Sequence, residues 1–195
     1  MAFIHPMLKT RMKKIFALLL IILLVLLSAT TLYIFRSSRY MNMSCNELAK
    51  LKDKQLYKAA LTRIEYKVNN FEDLSDGFHS LNDTEKIIYA IDYYIIEMSN
   101  GGLCQFFVNS SRIVAPYISE YLGIIGADEH KKQFDHFVAE NNINLSDLSA
   151  FDVSNHSHYI DISQRYPFDQ FDDTFSEAIL KKLLIDYMKA HIEDF

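Results

Sequence analysis

The chain has 195 residues, half of them hydrophobic, 23% charged and 13% aromatic, with 5 Gly and 3 Pro. That composition excludes collagen-like, low-complexity and disordered classes, and the length suits one ordinary domain. Two cysteines are too few for a disulfide scaffold or a four-thiolate zinc site.

The net charge of −5 conceals a division along the chain. Residues 1–40 carry Lys9, Arg11, Lys13, Lys14, Arg36 and Arg39 and no acid, whereas residues 41–195 set 14 basic against 25 acidic residues. A net charge of −11 on the body disfavours nucleic-acid binding, because phosphate contacts need a basic face.

Residues 1–14 form a basic flank, and the 21 residues from Ile15 to Phe35 carry no charge. As a helix they span about 31 Å, roughly the hydrocarbon thickness of a bilayer. Fifteen of them are Leu, Ile, Val or Phe, whose transfer favours insertion by several kcal/mol in total, at about −0.3 to −0.6 kcal/mol each. The expectation is a single transmembrane helix at 15–35 with the lipid bilayer as its partner. A cleaved signal peptide is the rival, with Ser28-Ala29-Thr30-Thr31 as its small-residue patch. The apolar run resumes at Leu32-Tyr33-Ile34-Phe35, which favours the uncleaved anchor. Four basic residues before the span and two directly after it predict a cytoplasmic N-terminus and a periplasmic or extracellular body. In that compartment Cys45 and Cys104 can pair or stay separate; spacing does not choose.

A linker at 36–44 leads to a body over 45–195 that reads as all-α, a single multi-helix domain. Residues 46–69 form one helical pattern through Leu48, Leu51, Leu56, Ala59, Ala60 and Ile64. A turn follows at 73–77. Asn82 with Glu85 three residues on marks a capping-box start, and Ile87, Ile91, Tyr94, Ile95 and Met98 then share one face. Asn100-Gly101-Gly102 ends that helix. Residues 103–109 form a short helix carrying Phe106 and Phe107 inward. Pro116 suits the first turn of a helix through Ile118, Leu122 and Ile125. Phe134, Phe137 and Val138 line another helix at 127–141. Residues 142–172, rich in Asn, Asp, Ser and His, read as loop. The last helix, 174–191, presents Ile179, Leu180, Leu183, Leu184, Tyr187 and Met188 to the core.

Catalytic and metal motifs are sparse. His156 and His158 with Asp152 and Asp161 could ligate a metal, but their spacing is loose and no His-Glu-x-x-His is present. Cys104 would need a base such as His79, His130 or His136 to act as a nucleophile. Gly101-Gly102 follows a helix rather than opening one, so it does not cradle phosphate. The expectation is a non-enzyme with no cofactor and no metal.

The strongest local signal is Asn100-Gly101-Gly102-Leu103-Cys104-Gln105-Phe106-Phe107-Val108-Asn109-Ser110-Ser111. Turn chemistry accounts for all of it, with Gln105 and Asn109 satisfying loop backbone groups; a ligand-binding Gln105/Asn109 pair is the functional alternative. The string resembles the Asn-Gly-Gly-x-x-Gln-[Phe/Tyr]-Phe-x-Asn-Ser core of the bacterial DNA-mimic protein family, carried here by Asn100, Gly101, Gly102, Gln105, Phe106, Phe107, Asn109 and Ser110. The helix Leu81 to Asp92, the triplet Ile125-Gly126-Ala127, Phe171-Asp172 and the final helix with Tyr187 are similar to the family in the same order. The resemblance covers roughly 45–195. It implies an all-α homodimer that acts without catalysis, its surface carboxylates imitating DNA phosphates to occupy a DNA-binding protein.

Residues 141–195 hold ten acids and four bases. Asp147, Asp152, Asp161, Asp169, Asp172, Asp173 and Glu177 are the candidate interaction surface. The expected function is a membrane-anchored acidic interaction module for a basic protein partner. The alternatives are an envelope inhibitor or immunity-type protein that neutralises a toxin, and a thiol- or metal-dependent enzyme.

Overall fold

A computed structural model describes residues 15, 16, 18–28 and 38–195. The chain forms two units, Met1–Met43 and Ser44–Phe195.

In the first unit, residues 15, 16 and 18–28 are helical, and their apolar side chains are exposed. No helix among the described residues is long and apolar enough to cross a membrane. Of the expected span, residues 17 and 29–35 lie outside the described residues, as do the basic flank 1–14 and the start of the linker. The rest of the expected linker is not featureless. Residues 38–41 are helical, and the Asn42 side-chain amide donates to the Ser38 carbonyl at 2.8 Å.

The second unit is all-helical, with no strand among its residues. Its first helical pattern divides in two, α1 (Cys45–Leu48) and α2 (Asp53–Val68). Periodicity predicts one helix here, but Lys52 takes an extended backbone (ψ 153°) and its N–H donates to Gln55 Oε1 at 3.3 Å. A second start signal therefore lies inside the apolar repeat. Leu56, Ala59, Ala60, Ile64 and Val68 form the buried stripe of α2. The expected turn at 73–77 is instead the opening of α3 (Leu74–His79), because Asp73 Oδ1 accepts the N–H groups of Ser75 at 2.8 Å and Asp76 at 3.1 Å.

Helix α4 (Asp83–Val108) runs through the core. Its capping box forms as expected: Asn82 Oδ1 accepts Glu85 N–H at 2.9 Å, and Glu85 accepts Asn82 N–H at 3.2 Å. Ile87, Ile91, Tyr94, Ile95 and Met98 are buried, and so are Ile88, Tyr89 and Ala90. Burial on nearly every side is what a central helix shows. It packs against a short 3-10 turn (Ser110–Val114), α5 (Ala115–Ile124), α8 (Phe168–Asp172) and α9 (Glu177–Ala190). Pro116 sits in the first turn of α5. Helix α6 (Asp128–Glu140) buries Phe134 and Phe137, with Val138 half-buried.

Residues 142–172 are more helical than their composition predicts. They contain α7 (His156–Arg165) and α8. The polar residues read as loop formers act as caps: Asn155 Oδ1 accepts His158 N–H at 3.0 Å. Each short helix contributes only one or two anchors, Ile162 from α7 and Phe168 and Phe171 from α8. In α9, Leu180, Leu184 and Met188 are buried and Leu183 and Tyr187 half-buried, but Ile179 is 53% exposed, outside the core face expected for it.

Aromatic rings fill the centre. Tyr94 meets Phe106 edge-on at 5.2 Å, Phe107 lies 4.9 Å from Phe151, and Phe137 stacks on Phe168 at 5.4 Å. Cys45 is exposed and Cys104 buried, and the two are unpaired.

Candidate functional site

The Asn-Gly-Gly string breaks the helical backbone within α4, as expected, so that the helix before it and the short helix from Leu103 meet at a kink. Gly101 is extended (φ −163°) and Gly102 lies at φ 72°, ψ −169°, a backbone that L side chains rarely adopt. The kink re-aims the chain so that helix resumes at Leu103 with free N–H groups at its start. Asp172, at the end of α8, accepts the Leu103 N–H at 2.9 Å. A Cβ on Gly102 would overlap that carboxylate. Glycine is thus required twice at this residue, for its torsion and for the approach of Asp172.

Three polar side chains of the string converge on Glu97, one turn before the kink. Gln105 Nε2 and Asn109 Nδ2 both donate to Glu97 Oε2 at 2.8 Å, and Ser111 Oγ donates to Oε1 at 2.6 Å. Gln105 and Asn109 were expected to satisfy loop backbone groups; they bind a buried carboxylate instead. Glu97 is 8% exposed and Ser111 3%, so the network is internal. Asn100 and Ser110 lie at the surface, and Phe106 and Phe107 are fully buried. The string closes one helix junction from inside.

The seven candidate acids divide by partner. The Ser149 hydroxyl, and then the Ser149 N–H that Asp147 accepts at 3.1 Å, hold Asp147 below the usual carboxylate range. Asp152 forms an ion pair with Arg112. Glu177 pairs with Lys181, its chief lowering influence, and accepts the Ser99 hydroxyl at 3.0 Å. Half-buried Asp172 is committed to Leu103. Burial pushes its carboxyl up, that hydrogen bond pulls it down, and the charges of Asp169 and Asp173 push it up further. Asp161, Asp169 and Asp173 are exposed and have no basic partner among the described residues. Asp169 and Asp173 stand one turn apart, about 6 Å of helix rise.

A second buried acid was not singled out from sequence. Asp92, 1% exposed on α4, accepts the Tyr57 hydroxyl at Oδ1, while its buried Oδ2 takes no hydrogen bond. Burial pushes its carboxyl up to about 6; Tyr57 and Lys181 pull it down and Glu65 pushes it up. Glu85, also 1% exposed, is paired with Lys67 from α2.

Among the described residues no hydrogen bond joins Cys104 to a histidine; its hydrogen-bond partner is Tyr159. Burial pushes the Cys104 thiol up to about 11, with Tyr159 opposing the shift. His158 Nδ1 lies 3.4 Å from Ser154 Oγ, and Asp152, its expected companion, is turned to Arg112. No group of three or more His, Cys, Asp or Glu that could hold a metal exists among the described residues.

The fold is therefore an all-helical body in which side chains of the signature string bind buried Glu97 while Asp161, Asp169 and Asp173 lie at the surface. A family model described as DMP19-like protein matches residues 79–191, from the end of α3 to the end of α9. The chain belongs to the DMP19-like family. No curated protein matches it, and no solved structure does.

Proposed function

We propose that the body is a non-enzymatic interaction module whose acidic surface occupies a basic protein partner, with mimicry of DNA as the narrow form. The observation that carries this is the pairing of family membership with exposed carboxylates at Asp161, Asp169 and Asp173 that form no ion pair among the described residues. Such a surface steers a basic partner into contact and loses its hold as salt rises. Capture with the detergent-extracted full chain, at low and high salt and with duplex DNA as competitor, tests it. A partner released by salt and displaced by DNA supports mimicry, whereas indifference to both refutes it.

The uncharged stretch 15–35 supports a single-pass anchor, and the flanking charges support an exported body. A reporter enzyme active only outside the cytoplasm, fused after Phe195, reads the topology. Signal there rules out cytoplasmic transcription factors as partners; silence, with a cytoplasmic reporter active, restores them.

A further inference from the structure

Helix α9 lies antiparallel along α4. At one end Ser99 donates to Glu177 at 3.0 Å; at the other Thr84 donates to Asp194, just beyond α9, at 3.1 Å. This register sets Lys181, one turn past Glu177, level with Ile95 of α4. Asp92 lies three residues away, about 4.5 Å of helix rise, within reach of a lysine side chain. From the other side Tyr57 of α2 donates to Asp92 Oδ1, and Oδ2 is left buried without a hydrogen bond. Tyr57 and half-buried Glu65 from α2 and Lys181 from α9 are the groups that act on this carboxylate. Tyr89 on the same helix and Glu177 on α9 complete the cluster.

Lys181 is the base of this set, and it faces two acids. Its ammonium lies on Glu177, in an ion pair whose side chains are 41% and 44% exposed. Water screens such a pair, so it holds weakly. A charge on Asp92 is different. At 1% exposure an ionised carboxylate has lost its water, and it gains far more from a counter-ion than Glu177 does. Burial pushes Asp92 up to about 6, so its charge changes close to neutrality.

We propose that Lys181 is a proton-controlled switch, paired with Glu177 while Asp92 is protonated and turned inward to Asp92 Oδ2 when Asp92 is ionised. Turned inward, the ammonium supplies the donor that Oδ2 lacks and leaves Glu177 held by the Ser99 hydroxyl alone. The lysine stays charged in both positions, and the proton lost from Asp92 goes to solvent. The body gains one negative charge, which emerges at the surface on Glu177 instead of remaining in the core. The exchange belongs to the chain itself and does not rest on the basic-partner reading.

Carboxyl-carbon NMR of the full chain in micelles, titrated from pH 3 to 8, follows both acids in the native chain, in Asp92→Asn and in Lys181→Gln. Circular dichroism checks that each variant folds; Lys181 is half-exposed, so its replacement keeps the test open should Asp92→Asn unfold. The expected result is two steps for Glu177 in the native chain, its own at low pH and a second at the midpoint of the Asp92 titration, with the Lys181 Cε signal moving at the second. Both variants are expected to lose that second step, while Asp92 still titrates in Lys181→Gln. A native Glu177 that moves once, at its own low pH, overturns the switch. So does a second step that survives in Lys181→Gln, since it would then report the field of Asp92 without any exchange of the lysine.

Discussion

Replacing Glu97 by Ala tests the internal reading of the signature string. Three donors aim at this carboxylate, from Gln105 and Asn109 at 2.8 Å and from Ser111 at 2.6 Å. They do not lose equally when it goes. Ser111 is 3% exposed and keeps a stranded hydroxyl, which costs about 1–3 kcal/mol. Gln105 is half-buried and reaches water in part, and exposed Asn109 reaches it fully. The lost methylenes leave a small void as well. Removing a buried charge returns some desolvation energy, so the net loss is about 2–4 kcal/mol. For a body of this size that lowers the Tm by about 5–15 °C. Glu97→Gln keeps one acceptor oxygen but turns an amide N–H₂ toward a donor, and loses about half as much. Thermal unfolding by circular dichroism measures both. A Glu97→Ala protein that melts within about 2 °C of the native chain refutes the reasoning, because the network would then contribute nothing.

Gly102→Ala combines a φ of 72° with overlap on Asp172 and is expected to cost about 2–4 kcal/mol, while Gly101→Ala, at φ −163° and against only the Gln105 side chain, costs less; urea unfolding that ranks them the other way contradicts the kink geometry. Asp92 has its folded-state pKa raised to about 6 from an ordinary 3.8, so the folded protein binds the extra proton between those values. Stability therefore falls as pH rises from about 4 to about 6 and stays lower above, by an amount on the order of 3 kcal/mol. Asp92→Asn is expected to flatten that slope and to be the more stable protein at pH 7, with unfolding midpoints across pH 4–7 as the check and an unchanged slope as the contrary result. Cys104, buried and held protonated, should alkylate orders of magnitude more slowly than exposed Cys45 in the folded chain; equal labelling by mass spectrometry would reopen a nucleophilic role.

Local chemistry made much of the body legible. Asn82 and Glu85 announced α4, Pro116 announced α5, and the Asn-Gly-Gly string marked the kink, because each signal acts within a few residues of itself. What stayed hidden depends on partners distant in sequence. Asp172 reads as one more surface acid, yet it caps a helix start 69 residues earlier in the chain. Glu97 sits one turn before the string and gives no sign that three side chains will converge on it; its place on the otherwise buried face of α4 was the available clue. Residues 142–172 read as loop because α7 and α8 are too short to show a period, and their polar composition supplies caps as readily as turns. Ile179 fitted the apolar repeat of α9, but no neighbouring helix covers it fully. The acids of the candidate surface could be counted from sequence, whereas their pairing could not: Arg112 takes Asp152 from 40 residues away.

The central claim is that uncompensated carboxylates on the body hold a basic protein. The most direct measurement is the affinity of the captured partner over a range of salt for the native chain and for a chain carrying Asp161→Asn, Asp169→Asn and Asp173→Asn together. Weaker binding with a shallower salt dependence, at unchanged unfolding stability, is the predicted result. Unchanged affinity and an unchanged salt slope would contradict the account.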